Sequence, residues 1–186
     1  MIRVGVVGVG AMGQHHARLY SKLDCELVGV ADIKLERAKE IGEKYHTQYF
    51  SDYRKLLDKV EAVSIAVPTS LHKEVALDFI ERGIHCLVEK PIASTLEEAK
   101  EMVEAAKRAG VKLMVGHVER FNPAVIKLKE LVKSGVLGKL IIISTRRVGP
   151  FIPKRVRDVG IIIDSATHDI DTVSYTHLTL PTTERV

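Results

Sequence analysis

A short apolar run leads straight into a glycine-rich turn at the start of the chain. Residues 2–7 read Ile-Arg-Val-Gly-Val-Val, and Gly8-Val9-Gly10-Ala11-Met12-Gly13 follows without interruption. Asp32 comes 19 residues after Gly13, at the end of a second apolar run. In a strand, turn and helix context this spacing predicts a dinucleotide-binding fold.

Each glycine of this motif has its own task. Gly8 permits the tight turn, Gly10 lets backbone amides approach a pyrophosphate, and Gly13 lets the following helix pack closely on the strand. The positive N-terminal end of that helix then faces the phosphates. Asp32 is expected to accept hydrogen bonds from the adenosine ribose and to repel a 2′-phosphate, which favours NAD over NADP. Lys34 is the neighbouring cation that could soften this preference.

Apolar strand patterns alternate with helical patterns down to about residue 115. The predicted strands are 2–7, 26–31, 62–67, 84–88 and 111–115, and the predicted helices are 11–23, 35–45, 52–59, 70–82 and 95–109. Near-continuous apolar strands, each followed by a helix, indicate a parallel sheet covered on both faces. We therefore expect an α/β fold with a Rossmann-type, doubly wound parallel sheet, as a cofactor domain over residues 1–120.

The pattern changes beyond this domain. Asn122-Pro123 predicts the start of a helix that runs to Lys133, a β-rich run follows over 140–147, and a further apolar run covers 159–163. We interpret residues 121–172 as the start of a truncated α+β substrate domain. It is too short to be complete, because a sheet-forming domain needs several strands.

The final segment, residues 173–186, is rich in threonine and lacks helical periodicity. It resembles a translated sequencing adapter, so we interpret it as a non-native tail and exclude it from the fold. We expect it to be dispensable.

Charge and hydropathy exclude several classes of partner. The formal charge is only +4, and the basic residues are interleaved with glutamates along the predicted helices, which indicates solvated faces and no nucleic-acid surface. No apolar run approaches the roughly 20 residues of a membrane span, and no signal pattern opens the chain. No cluster has metal-ligand spacing. We expect a cytoplasmic protein that binds neither nucleic acid, membrane nor metal.

A charged pair ends the strand predicted at 84–88. Glu89 and Lys90 follow it directly, and Pro91 restrains the turn. Ligands of doubly wound sheets bind outside the carboxyl ends of the strands, so this pair is predicted to face the cofactor crevice. A surface ion pair that caps the next helix is the alternative interpretation.

A second charged constellation lies near the end of the chain. Asp164 and His168 are four residues apart and would share one face of a helix. A neighbouring carboxylate fixes the tautomer of an imidazole and stabilises its charged form, which suits a general base. Taken alone, a solvated helix face would be the simpler interpretation.

In combination the motifs resemble the Gfo/Idh/MocA family of nicotinamide-dependent oxidoreductases, over residues 1 to about 172. The matching positions, in chain order, are Gly8 to Gly13, Asp32, Val67 to His72, Glu89 to Pro91, and Asp164, His168 and Asp171. One departure is Ala166, where the family usually has glycine.

The resemblance implies roles for individual residues. The catalytic set would be Lys90, Asp164 and His168. The residues beside the cofactor would be Gly8, Gly10, Ala11, Met12, Gly13, Asp32, Pro68, His72, Glu89 and Lys90, with the amides of Ala11 and Met12 at its pyrophosphate.

A narrower resemblance points to the branch of the family that oxidises nucleotide sugars such as UDP-N-acetylglucosamine. It lies in residues 116–123, 146–150 and 157–160. Arginine forks suit a diphosphate, so Arg120, Arg147 and Arg157 are candidate substrate ligands. A basic loop or a subunit interface is the alternative. For Arg120 the alternatives are that it reaches the cofactor or that it stacks in the domain hinge.

The function implied is NAD-dependent oxidation of a secondary hydroxyl on a sugar or nucleotide sugar. His168 would take the hydroxyl proton, Asp164 would orient its ring, and Lys90 would hydrogen-bond the same oxygen. The alternatives are an inositol or polyol 2-dehydrogenase, a non-catalytic NAD-binding protein, and an inactive fragment. We expect the parent protein to be a homo-oligomer formed through the sheet of its second domain.

Overall fold

The computed structural model describes residues 1–148 and 165–177. The chain divides into two compact units, the first being Met1–Gly116 and the second beginning at His117. The division therefore falls slightly before residue 120, where the sequence pattern placed the end of the cofactor domain.

A six-stranded parallel sheet forms the centre of the first unit. Its strands are β1 (Ile2–Val7), β2 (Cys25–Ala31), β3 (Gln48–Phe50), β4 (Ala62–Ile65), β5 (His85–Val88) and β6 (Leu113–Val115). The spatial order is β3-β2-β1-β4-β5-β6, so the winding direction reverses between β1 and β4. Ligands of such sheets bind at this reversal, outside the carboxyl ends of the strands. The Rossmann-type fold is confirmed.

Four α-helices accompany the strands of this unit. They are α1 (Gly13–Tyr20), α2 (Leu35–Lys44), α3 (His72–Ile80) and α4 (Leu96–Ala109), with 3-10 turns at Tyr53–Leu56 and Thr69–Leu71. Successive residues of a strand point to opposite faces of the sheet. Accordingly, Val6 packs in one buried cluster with Ala17 of α1, while Val7 belongs to another cluster with Phe79 of α3. Both faces of the sheet are covered, as expected.

Local signals explain where α4 begins and ends. The Thr95 hydroxyl accepts a hydrogen bond from the amide of Glu98 at 3.2 Å, which satisfies one of the free amides in the first turn. Gly110 ends the helix in the left-handed conformation at φ +68°, which glycine adopts without steric cost. The predicted helix over 95–109 is confirmed almost to the residue.

The second unit is helical in its described part. It contains a 3-10 turn at Val118–Phe121, α5 (Pro123–Lys133) and α6 (Thr167–His177). Asn122 caps α5 by accepting the amide of Ala124 at 3.0 Å, so the predicted Asn-Pro start is confirmed.

The structure of the second unit differs from two of the expectations drawn from sequence. The β-rich run over 140–147 forms no strand, because a strand needs a neighbouring backbone to pair with and the described residues offer none there. Helix α6 continues to His177, five residues into the segment 173–186 that we interpret as non-native. The apolar run over 159–163 lies outside the described residues.

No helix within residues 1–148 and 165–177 is long and apolar enough to cross a membrane.

Candidate functional site

The glycine-rich loop joins β1 to α1 at the reversal of the sheet. Gly8 has φ +80°, and a Cβ there would lie 2.6 Å from the carbonyl oxygen of Ala66. A Cβ on Gly13 would lie 1.7 Å from the carbonyl oxygen of Gly8. Both positions therefore require glycine, because any side chain would overlap the backbone of this turn.

Gly10 is different, because a Cβ at this position would meet no protein atom within 4 Å. This open space leaves room for the close approach of a ligand to the backbone. Ala11 and Met12 are exposed, and no side chain caps the N-terminus of α1 at Met12. Amides at a helix start that no side chain satisfies are suited to a pyrophosphate. The loop therefore fits a dinucleotide.

Asp32 lies at the carboxyl end of β2, next to the loop. Its carboxylate accepts the amide of Val9 at 3.0 Å and the amide of Lys34 at 3.0 Å. These bonds fix the side chain beside the glycine-rich turn. A carboxylate has about four acceptor positions, so capacity remains for ribose hydroxyls.

Arg37 of α2 is a residue that sequence reasoning missed. Its Nε donates to the carbonyl oxygen of Val9 at 2.8 Å, and one Nη donates to the Gln14 side chain at 2.8 Å. The other Nη donates to Glu40 at 2.6 Å. Arg37 therefore fastens α2 to the glycine-rich loop, and Glu40 offsets its charge. No local motif signals these contacts, because Val9 and Gln14 are 28 and 23 residues away along the chain.

Glu89 and Lys90 lie at the carboxyl end of β5, as predicted, but in different surroundings. Glu89 is only 6% exposed, and its Oε1 is 2.8 Å from Nε2 of His16 in α1. Its Oε2 accepts the amide of Lys90 at 3.2 Å. Burial by itself raises the pKa of Glu89, but the hydrogen bonds and charges of His16 and Lys90 outweigh it and hold the pKa below its usual value. Lys90 is half-buried at the edge of the sheet.

His72 bridges the two loops that follow β4 and β5. Its Nδ1 is 2.9 Å from the carbonyl oxygen of Pro91, and its Nε2 is 3.0 Å from the carbonyl oxygen of Val67. The side chain is 1% exposed. Pro68 begins the 3-10 turn that leads into His72. The geometry gives His72 a role beneath the crevice, where it ties loops together, whereas contact with a cofactor stays a prediction.

His168 lies in the first turn of α6 in the second unit and is partly exposed. Its charge acts on Glu119, whose pKa is lowered first by the hydrogen bond from Asn122, then by Arg147 and by His168. Asp164, the expected partner of His168, lies outside the described residues. The Asp164 and His168 pair therefore stays a prediction, as does its joint action with Lys90.

The candidate substrate arginines of the second unit are held by carboxylates. Arg120 forms a two-pronged pair with Asp171, at 2.6 Å from Nη2 to Oδ1 and 3.0 Å from Nε to Oδ2. Arg147 contacts Glu119 and Asp169, each at 3.2 Å. Arg157 lies outside the described residues. None of the three carboxylates had an assigned role, although Asp171 stands three residues after His168.

No group of three or more His, Cys, Asp or Glu side chains suited to a metal ion occurs in the part of the chain that the structure describes.

Known proteins match the first unit of the chain as a family and most of the chain as individual relatives. Residues 2–117 match the Gfo/Idh/MocA family, described as "Oxidoreductase family, NAD-binding Rossmann fold". UDP-N-acetylglucosamine 3-dehydrogenase from Acidithiobacillus ferrooxidans is 36% identical over 170 residues, which cover 91% of this chain and 52% of that protein. Inositol 2-dehydrogenase from Rubrobacter xylanophilus is 34% identical over 179 residues, or 94% of this chain and 52% of that protein.

A solved structure gives the same picture. The crystal structure of a probable dehydrogenase from Thermotoga maritima has a TM-score of 0.85 and 31% identity, and the match covers 94% of this chain and 55% of that one. The chain thus spans about half the length of the relatives it matches. From the family match, the glycine-rich loop and the sheet order, we conclude that the chain belongs to the Gfo/Idh/MocA family of NAD-binding oxidoreductases.

Proposed function

We propose that this chain belongs to a dehydrogenase that oxidises a secondary hydroxyl group of a sugar or nucleotide sugar with NAD. The observation that carries the proposal is the position of Lys90. It follows β5 at the same edge of the sheet as the glycine-rich loop after β1, where the order of strands reverses. A cation at this edge can reach a substrate beside the cofactor.

The chemistry divides between the cofactor and the protein. When bound, NAD supplies the hydride acceptor, and the protein supplies position and charge. Lys90 donates a hydrogen bond to the reacting hydroxyl oxygen and favours its alkoxide character. His168 takes the hydroxyl proton as general base, and Asp164 orients its imidazole.

A nucleotide sugar is the first candidate substrate. It is supported by the relative from Acidithiobacillus ferrooxidans, whose name gives UDP-N-acetylglucosamine as substrate. Arginine side chains suit a diphosphate, and Arg120, Arg147 and Arg157 are the residues we propose for it.

A polyol such as inositol is the second candidate, and one observation favours it. Arg120 and Arg147 are already paired with Asp171, Glu119 and Asp169, so much of their charge is offset before any diphosphate binds. An uncharged polyol needs no free cation. A relative of 34% identity carries the name inositol 2-dehydrogenase.

We propose NAD in preference to NADP. Asp32 is fixed beside the glycine-rich loop, where its negative charge would repel a 2′-phosphate. Arg37 reaches the same loop, but Glu40 offsets its charge at 2.6 Å. Titration of both cofactors into the purified chain tests this, and equal or tighter NADP binding would refute it.

The test of the function is the oxidation of UDP-N-acetylglucosamine and myo-inositol by the protein in its full length, with NAD. Lys90→Ala and His168→Ala should each lower kcat by about two to four orders of magnitude, the usual scale for a lost acid–base group. Lys100→Ala is the matched control, because Lys100 is exposed on α4. Near-normal turnover in His168→Ala would exclude it as the base. If the protein binds NAD but oxidises neither substrate, the proposal is overturned.

A further inference from the structure

A chain of buried polar side chains lies beneath the crevice, between α1 and the sheet. The imidazole of His16 has Nδ1 at 3.1 Å from the Ser64 hydroxyl and Nε2 at 2.8 Å from the Glu89 carboxylate. The Tyr20 hydroxyl is 2.7 Å from the same Ser64 oxygen. Ser64 is fully buried and Glu89 is 6% exposed. Buried polar groups of this kind need a complete set of partners.

Every member of this chain has a hydrogen-bond partner. An ionised Glu89 only accepts, so Nε2 of His16 carries the hydrogen. Nδ1 of His16 is hydrogen-bonded to the Ser64 hydroxyl, which is hydrogen-bonded in turn to the Tyr20 hydroxyl. Burial raises the pKa of Tyr20 and keeps its hydroxyl protonated. The network therefore orders Glu89 through the imidazole of His16.

Glu89 in turn holds the backbone of the loop that bears Lys90. Its Oε2 accepts the Lys90 amide at 3.2 Å. Its carboxylate also lies against Gly116, where a Cβ would be 3.2 Å from Oε1. The carboxylate is thus enclosed on one side and bonded on the other, and His16 is the side chain that sets its rotamer.

The position of this network in the sheet identifies the half of the cofactor that it serves. In a doubly wound sheet one half binds each mononucleotide, and the acidic residue after β2 marks the adenosine half. Asp32 fills that position. His16 lies in α1, but its partners Ser64 of β4 and Glu89 after β5 are on the other side of the reversal, which is the nicotinamide half.

We propose that His16 is a positioning residue for the nicotinamide half of the site, acting through Glu89 on the backbone of Lys90. It contacts no reacting atom and acts through its hydrogen bonds to Ser64 and Glu89. The inference rests on the proposed use of NAD at this sheet edge and is independent of the sugar.

The test compares two ligands on the 186-residue chain by calorimetric titration. NAD fills both halves of the site, whereas ADP-ribose lacks the nicotinamide. His16→Phe keeps the ring bulk and removes both hydrogen bonds. It should weaken NAD binding about 10- to 100-fold, the scale of a lost hydrogen bond to a charged group, and leave ADP-ribose binding within about twofold. His16→Gln, whose amide can replace Nε2, should restore most of the NAD affinity.

Controls separate positioning from folding. His15 is the adjacent, exposed histidine of α1, and His15→Phe should change neither affinity. Equal weakening of both ligands in His16→Phe would show a merely structural role and overturn the proposal. Unchanged NAD binding, or no recovery in His16→Gln, would overturn it as well. NAD binding by the chain without sugar oxidation by the full-length protein would defeat the proposed function and leave this inference intact.

Discussion

Each of the two units of the chain is stabilised internally by a different kind of interaction. In the first unit the sheet buries apolar side chains on both faces, and Phe79, Ile65 and Leu56 are fully enclosed. In the described part of the second unit, the buried side chains are Asp171 and Thr176, both polar, while Phe121 is 66% exposed. The first unit therefore rests on apolar burial, and the described second unit on ion pairs and hydrogen bonds.

This difference teaches where function can be deduced from local patterns. The candidate cofactor site of the first unit is formed by backbone at Gly8 and Gly13. The buried core of the sheet holds this backbone in place. The candidate substrate groups of the second unit are long charged side chains whose partners are other charged side chains. A site built from backbone can be predicted from a short sequence motif. A network of side chains cannot, because it depends on the packing around it.

Removing a phenylalanine from each unit should give the largest contrast. Phe79→Ala opens a cavity in the core and should lower the free energy of unfolding by about 3–5 kcal/mol. Phe121→Ala removes an exposed ring and should change it by less than about 0.5 kcal/mol. Urea unfolding of the chain, followed by circular dichroism, measures both. Similar losses would show that the second unit also buries an apolar core in solution.

Two glycines of the cofactor loop should separate folding from binding. Gly13→Ala places a Cβ 1.7 Å from the Gly8 oxygen and should cost about 1–3 kcal/mol of stability or more. Gly10→Ala meets no protein atom within 4 Å, so the melting temperature should hold while NAD affinity falls. Thermal unfolding and NAD titration of both variants measure this. A stability loss in Gly10→Ala would contradict the assignment of that open space to a ligand.

The smallest effect concerns the end of α6. The Tyr175 ring has Nζ of Lys129 at 3.2 Å and the Arg120 guanidinium carbon at 5.4 Å from its centroid. Tyr175→Leu keeps apolar bulk and removes the aromatic face, and should cost the second unit about 0.5–1 kcal/mol. Hydrogen exchange in α5 and α6 measures the cost, with Lys129→Met as the second arm of a double-mutant cycle. A coupling of zero would show that the aromatic face of Tyr175 does not stabilise the second unit.

The parallel sheet could be predicted because its strands are continuous apolar runs, and four helices followed from periodicity and caps. The strand β3 could not, since Gln48–Phe50 is a three-residue edge strand without an apolar run. The β-rich run over 140–147 predicted a strand that the structure does not have. β-Branched residues favour a strand, but the strand forms only where a neighbouring strand pairs with it.

The site shows the same limit. Asp32 and the glycines carry a fixed spacing along the chain and could be placed from sequence. His16 could not, because its partners Ser64 and Glu89 are 48 and 73 residues away and meet it only in the folded sheet. Arg37 reaches Val9 across 28 residues for the same reason.

The bridge made by His72 has a mechanical consequence for the crevice. The segments at Val67 and Pro91 are separated in sequence by α3 and β5, yet one rigid imidazole spans them. Both partners are carbonyl oxygens, so a ring nitrogen that carries a hydrogen donates to the one it faces, and pulling that segment away breaks a buried hydrogen bond at a net cost of about 0.5–1.5 kcal/mol. The segments at Val67 and Pro91 consequently move together when either one is displaced. A force applied to the backbone beside Lys90 is thus transmitted to the turn after β4 without passing through the helix between them.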